Sequence, residues 1–416
     1  MSSILAAGYS FRSQDYLDDP HPAQPHLARA KAAFGHALCQ CVSPPRKLVI
    51  REVREVLYVA VWPFDGHFHD PACEFHRDQV EHDGGVQNAA SHEKPKAPST
   101  PAIRLMSNGS WDVNIDIPKL RTTDPKGVPG SPSDSAGKSP AGNSSHRDAL
   151  NLQQFLAWLW DSTSMARWGT GWRRDWWRVI RAVRTEAQVV CIRGVQFNDL
   201  LYMPPPFRKE REVEIHQEWE RFSGNLNSQT PSHLPFGFLL VEVKSIDKTE
   251  FGYKLQARNM AKPIFMDEQI HASATKQSVL GIALLSRRKE LKCALLAFVM
   301  VEGTGRGNLR AVNIAFLLTN QMFIPVTTIY ELELANKLCA NDRAFTRGMG
   351  KHTGADFVLR DTSPPTAMFI YSLFSPEYVR QRDAILDECV AAGCAPWKWE
   401  PGAAKMMPPF PAAKMV

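Results

Sequence analysis

Cys39-Gln40-Cys41, followed further along by His69-Asp70-Pro71-Ala72-Cys73, is the stretch that decides how this chain begins to fold. Together the two clusters supply three thiols and an imidazole, the soft and borderline ligands of a tetrahedral zinc site. Cysteines one residue apart sit on one tight knuckle, and the His-x3-Cys half closes the other side from a turn. Four protein ligands leave no position for a catalytic water, so the site predicted is structural, with Cys39, Cys41, His69 and Cys73 as ligands. His67 and His76 are the nearest substitutes.

Outward from these clusters, residues 1–92 read as one small unit. A helix over His26 to Leu38 leads into Cys39, and strands over Leu48 to Val53 and Val56 to Trp62 are rich in β-branched and aromatic residues. The metal would stand in for a core that so small a unit cannot build alone. Residues 93–147 read as a linker with one alternating strand, Trp111 to Ile117. The stretch 122–146 is dense in Gly, Ser and Pro, and such composition buries too little apolar surface to order itself. Residues 148–225 read as helical, with Asp148 placed to cap the first helix and Arg173 to Ala187 forming the second. Residues 234–416 alternate strand pairs and helices. Phe238 to Lys244 and Phe251 to Ala257 suggest a hairpin, Asp267 to Lys289 one helix, and Ala294 to Val301 and Val312 to Leu318 apolar strands. The fold class expected is therefore multidomain α+β or α/β: a zinc-stabilised N-terminal unit, a helical middle, and a C-terminal mixed sheet with helices.

The bulk numbers set the frame. A chain of 416 residues exceeds one ordinary domain, and 44% hydrophobic with 22% charged residues is a globular composition. The net charge of +6 permits an anionic partner without requiring one. No apolar run approaches the roughly 20 residues that span a bilayer, and Met1 to Tyr9 lacks a basic n-region, so a cytoplasmic protein is expected. Of the eight cysteines, Cys191, Cys293, Cys339, Cys389 and Cys394 lie scattered in apolar or amphipathic stretches, as small buried hydrophobes do.

Two further constellations bear on function. At 100° per residue, Trp176, Val179, Ile180 and Val183 share a core face, while Arg174, Arg178 and Arg181 line a separate stripe beside Trp177. Arginines for phosphates and an aromatic for a base make this helix a candidate nucleic-acid surface. The competing reading is an ordinary amphipathic helix whose arginines pair with the acidic stretch Glu210 to Glu220. The second constellation is nuclease-like and split. Glu242-Val243-Lys244 on a strand is the Glu-x-Lys half of a restriction-type site, but no acid precedes it between Ser223 and Leu240. Farther on, a helix with Glu331, then Asp356 to Leu359, then Ala367 to Tyr371, then a helix from Pro376, follows the nuclease order of elements without a Glu-x-Lys. Glu242, Lys244 and Asp356 are thus the catalytic candidates should the chain be a divergent Mg²⁺-dependent nuclease. Gly303-Thr304-Gly305-Arg306-Gly307 leads into a strand rather than a helix, and so reads as a hairpin turn, not a phosphate loop.

The Cys and His clusters resemble those of a bacterial family, the domain of unknown function 1173. The resemblance continues through Leu159-Trp160-Asp161, Arg167-Trp168, Leu201-Tyr202-Met203-Pro204 with Pro206-Phe207, Val241-Glu242-Val243-Lys244, Phe251-Gly252-Tyr253-Lys254-Leu255, Leu359-Arg360-Asp361-Thr362 and Pro396-Trp397-Lys398-Trp399. It implies a protein of plasmids and integrated elements and supplies no activity. The expectation is a zinc-containing, non-enzymatic protein with DNA as the favoured partner. The rivals are the nuclease above and a scaffold for other mobile-element proteins in plasmid transfer or maintenance.

Overall fold

The computed structural model describes residues 2–53, 56–62, 65–70, 73–76, 102–106, 110–118, 149–226, 234–304, 307–348, 354–373, 375–403 and 406–414. The linker expected at 122–146 and the cap expected at Asp148 lie outside the described residues.

The first unit is a five-stranded antiparallel sheet. Its elements are β1 (Ser3–Ala6), β2 (Tyr9–Arg12), α1 (Ser13–Asp18), α2 (Gln24–Phe34), β3 (His36–Cys39), β4 (Arg46–Val53) and β5 (Val56–Val61), in sheet order β2-β1-β3-β4-β5. Helix α2 is shorter than its sequence suggests. Gly35 adopts φ +72°, the left-handed C-cap that ends the helix, and the chain then turns into a strand. Cys39 therefore lies at a strand end and not at a helix end. Leu27 and Ala30 of α2 pack onto Ile4, Leu48, Ile50 and Val59 of the sheet.

The middle of the chain holds β6 (Ile103–Leu105), β7 (Trp111–Val113), α3 (Leu152–Ser162), β8 (Arg167–Trp168), α4 (Trp176–Ala187), β9 (Val190–Ile192), β10 (Val195–Gln196), α5 (Phe197–Leu200), β11 (Leu201–Tyr202) and α6 (Glu212–Leu226). Asn151 caps α3 through a reciprocal box with Gln154, and Asp175 caps α4 by accepting from the Arg178 N–H. Strands β10-β9-β7-β6 form a small sheet.

The third group is β12 (Gly237–Thr249), β13 (Gly252–Ala257), β14 (Ile264–Met266), α7 (Glu268–Gln277), α8 (Val279–Leu284), β15 (Cys293–Gly303) and β16 (Leu309–Asn320). The helix expected from Asp267 breaks at Ser278 into α7 and α8. The strands close on themselves: β12 pairs β13, β13 pairs β14, β14 runs parallel to β16, β16 pairs β15, and β15 returns to β12. Residues 237–242 of β12 face β15, and its later half faces β13 across a bulge between Val243 and Ser245. Val241, Leu255, Ile264, Ala297 and Ile314 fill the interior. The opposite face of β12 and β15, with Phe238, Leu240 and Phe298, packs against Phe155, Trp160, Val179 and Val183 of α3 and α4. One core thus crosses the boundary between the helical middle and the C-terminal part. The Trp160 Nε1–H donates to the Phe323 carbonyl at 3.1 Å, satisfying the one polar atom of that buried indole.

The last group is α9 (Ile329–Ala340), β17 (Phe345–Arg347), β18 (Phe357–Leu359), β19 (Thr366–Ile370), α10 (Pro376–Ala391) and β20 (Ala395–Trp399). Strands β17, β18 and β19 form an antiparallel meander, β20 joins β19 in parallel after α10, and β8 completes the far edge. Helix α9 covers one face of this sheet and α10 the other. Among the described residues no helix is long and apolar enough to cross a membrane.

Candidate metal centre

The two sequence clusters meet. Cys39 ends β3 and Cys41 follows two residues on, and alternation along an extended chain turns both thiols to one side. Gln40 between them points the other way, accepting from the Ser3 and Ser10 hydroxyls at 2.9 Å each. The Gln40 N–H donates to the Ser3 carbonyl, so β1 pins the knuckle. After β5 the chain turns through 66–70 and brings His69 and Cys73 to the same point. Ligand atoms of Cys39, Cys41, His69 and Cys73 all lie within 4.8 Å of one another. Among the described residues this is the one cluster of three or more metal-ligating side chains that could share an ion.

The spacings fit a tetrahedron. Zinc bonds of about 2.3 Å to sulfur and about 2.0 Å to nitrogen place two sulfurs about 3.8 Å apart, and sulfur from nitrogen about 3.5 Å. Here Cys39 Sγ and Cys73 Sγ are 3.6 Å apart, Cys41 Sγ and His69 Nδ1 3.3 Å, and Cys73 Sγ and His69 Nδ1 3.8 Å. Cys39, His69 and Cys73 are buried and Cys41 is half-buried. Backbone N–H groups of Asp70 and Phe75 donate to the sulfurs of Cys41 and Cys73, as they do to thiolates. Three sulfurs this close cannot all ionise unaided. Hydrogen bonding to Cys41 pushes the Cys39 thiol far up, while the bond accepted from Cys39 pulls Cys41 far down. A divalent cation relieves this crowding by replacing the shared protons. His76 stays outside the cluster, its Nδ1 bonded to the His69 carbonyl at 2.8 Å, and the His67 ring packs at a tilt against Phe68.

The ligand loop is gripped by the middle of the chain. Glu74, next to Cys73, pairs with Arg178 at 2.6 Å, with side chains only 5% and 7% exposed. Arg167 donates to the His76 carbonyl at 2.8 Å, and Arg51 of β4 to the Thr185 carbonyl of α4. Glu74 is the site residue that sequence reading misses. Its partner stands 104 positions away, and nothing local marks it.

That arrangement also corrects the reading of the arginine helix. Arg174 and Arg178 are buried. Arg174 donates to the carbonyls of Met165, Met322 and Arg167 and lies over Trp168, and burial pushes it down to about 9. Arg181 is likewise pushed down by burial. Arg184 makes a two-pronged pair with Glu218 of α6, and the guanidinium groups of Arg208 and Arg211 cover Trp177. The amphipathic period is real, but the polar stripe faces the N-terminal unit and α6 instead of solvent. A phosphate cannot reach Arg174 or Arg178 here.

The nuclease candidates do not assemble. Glu242 on β12 pairs with Arg258 at 3.2 Å, and burial raises its carboxyl. Lys244 is exposed at the bulge. Asp356 belongs to the other sheet, where it pairs with Arg382 and accepts from the Ile370 N–H at 2.8 Å. Glu331, at the start of α9, pairs with Arg347 at 3.0 Å and accepts from Thr327. The turn after Gly303 joins antiparallel β15 and β16, as a hairpin should.

A family model described as "Protein of unknown function (DUF1173)" matches residues 9–402, nearly the whole chain. No curated protein and no solved structure matches it.

Proposed function

Because this chain belongs to the DUF1173 family, whose description assigns no activity, we propose its role from its own geometry: a zinc-stabilised protein that binds nucleic acid without cutting it. The four-donor cluster carries the proposal. Its spacings fit zinc, its donor set of three sulfurs and one nitrogen is a structural one, and four protein ligands leave no open position for substrate. When bound, zinc supplies cross-linking between β3 and the loop at 66–76. The chain's own residues do the rest: Glu74 and the His76 carbonyl dock that loop onto Arg178 and Arg167.

Nucleic acid is favoured as the partner by a positive net charge of +6 and by exposed cations on the closed barrel of β12–β16. The nuclease alternative gains support from one observation, the order α9-β17-β18-β19-α10-β20 with β19 parallel to β20. Against it, the carboxylates of Glu331 and Asp356 are spent on Arg347 and Arg382, and β19 carries no Glu-x-Lys. Placement in plasmids or integrated elements, and other proteins of such elements as partners, follow from the family resemblance alone.

Elemental analysis of purified protein, with an electrophoretic shift titrated in salt, tests the reading. One zinc per chain, salt-sensitive retention of DNA and no cleavage in Mg²⁺ are expected. A metal-free folded protein overturns the zinc assignment, and Mg²⁺-dependent cleavage overturns the non-catalytic one.

A further inference from the structure

We infer that the outer face of the β12–β16 barrel is a docking surface for single-stranded nucleic acid, formed by Lys244, Arg258, Arg288 and Lys289 together with Phe265 and Phe251. The inference rests on the nucleic-acid reading above and deepens it by naming the surface and the strandedness.

Numbering the barrel strands one to five, the ring runs one-two-three-five-four-one, with three parallel to five and helices between three and four. That is the strand order of an OB-type barrel, in which ligands lie across strands two and three, between the loop joining one to two and the loop joining four to five. Fold alone assigns no ligand, so the side chains on that face must be weighed.

Alternation places Leu255, Ile264 and Met266 inside, and therefore Lys254, Gln256 and Phe265 outside. Across the sheet, Lys254 stands opposite Phe265, and Phe265 opposite Arg310. A phenyl ring 37% exposed on a strand offers a face on which a base can stack, with Lys254 beside it and an Arg310 already paired with Glu302 at 2.6 Å. Phe251, in the turn between strands one and two, is 87% exposed, so burial gives no reason for an aromatic there.

At the far end of strand two the face opens into a cleft of about 520 Å³ lined by Lys244, Gln256, Arg258, Arg288 and Lys289. The bulge at Lys244 turns this lysine outward from the end of the β12–β13 ladder. Among the described residues neither Lys244 nor Lys289 has an ion-pair partner, and the buried Nε of Arg288 has no acceptor. The acids on the face are Glu242, already held by Arg258, Glu302, held by Arg310, and Asp247, which accepts from Ser245 and stands opposite Lys254. With Arg258 neutralised by Glu242, the cleft keeps Lys244, Arg288 and Lys289 as a net positive lining, and it is continuous through Gln256 with the strand that carries Lys254. Cations in a groove beside exposed rings suit a flexible strand with unstacked bases better than a rigid duplex.

The test uses full-length zinc-loaded protein and a fluorescent oligodeoxynucleotide, read by anisotropy across a salt series. Lys244→Ala/Lys289→Ala removes two exposed cations and is expected to lower the slope of log affinity against log salt by about 1.4, at about 0.7 per phosphate contact. Lys244→Arg/Lys289→Arg is expected to restore the slope. Phe265→Ala is expected to weaken binding about tenfold with the slope unchanged. All these positions are exposed or half-exposed, and a thermal melt matching wild type confirms that they fold. If the oligonucleotide binds but the alanine variants match wild type, this face is not the site and the nucleic-acid reading stands. If duplex binds more tightly than single strand, the strandedness is wrong. If wild type binds neither, both readings fall.

Discussion

Replacing one sulfur of the four-donor cluster isolates what a bound ion would contribute. Cys41 is the most exposed of the four ligands, so Cys41→Ser introduces no cavity and acts on coordination alone. A structural zinc in a site of this kind is worth on the order of 10–16 kcal/mol at neutral pH. The apolar core that would remain is small: Ile4, Tyr16, Leu27, Leu48, Ile50, Leu57, Val59 and Phe75 are its larger members. A core of that size supplies roughly 3–5 kcal/mol, so losing the metal exceeds what is left to hold β1–β5. The rest of the molecule has its own cores and should persist. The effect should therefore be local. By hydrogen exchange and mass spectrometry, peptides over 36–61 are expected to lose protection in Cys41→Ser, while peptides over 293–320 keep theirs. Zinc content should fall to near zero in parallel. Stoichiometric zinc in the variant, or unchanged protection over 36–61, would refute the reasoning.

Three other outcomes follow. Glu74→Gln should destabilise the protein by about 3–5 kcal/mol because Arg178 is left buried beside a neutral group. Adding Arg178→Met should recover part of that loss, a coupling readable in a double-mutant cycle by urea unfolding. Burial raises the Asp356 carboxyl above its ordinary value, so the folded state holds that proton more tightly than the unfolded one. Its contribution to stability is complete below about pH 4 and is lost as pH rises through the folded value. Wild-type stability should thus fall with rising pH relative to Asp356→Asn over that window, and parallel curves would refute the assignment. Asn151→Ala removes the cap of α3 and should cost about 1 kcal/mol, measured by thermal melting.

Residue type made the four-donor cluster legible. Cysteine and histidine are rare enough that two clusters flanking a hairpin announce a shared ligand, and the structure joins the four side chains within 4.8 Å. Local pairing was legible too: β12 with β13 and β15 with β16 are hairpins whose apolar runs and turns are adjacent in sequence. What escaped was non-local. Closure of the barrel depends on β12 meeting β15 and on β14 running parallel to β16, and no period within either strand encodes its second neighbour. The arginine helix shows the same limit from another side. Periodicity separates its core face from its charged face, but it cannot say whether water or another unit covers the charged face. Glu74 and Glu218 decide that, from distant parts of the chain.

The C-terminal sheet sharpens the distinction between a fold and a reaction. Its helix, three-strand meander, helix and parallel strand bring Glu331 near enough to Asp356 to add to the rise that burial gives the Asp356 carboxyl. A nuclease would hold a divalent cation with such a pair. Here Arg347 and Arg382 already neutralise them, in pairs whose side chains are 7–15% exposed. To bind Mg²⁺ the chain would have to break both pairs and leave two guanidinium groups buried without counter-charges, at about 3–5 kcal/mol each. Magnesium also sheds its water reluctantly and has little to offer a dry site in return. The same two arginines that exclude the cation tie α9, β17, β18 and α10 together, and β17 in turn carries β8 from the middle of the chain. Charge that a metal would need is here paired within the sheet, which the β8–β17 pairing joins to the middle of the chain.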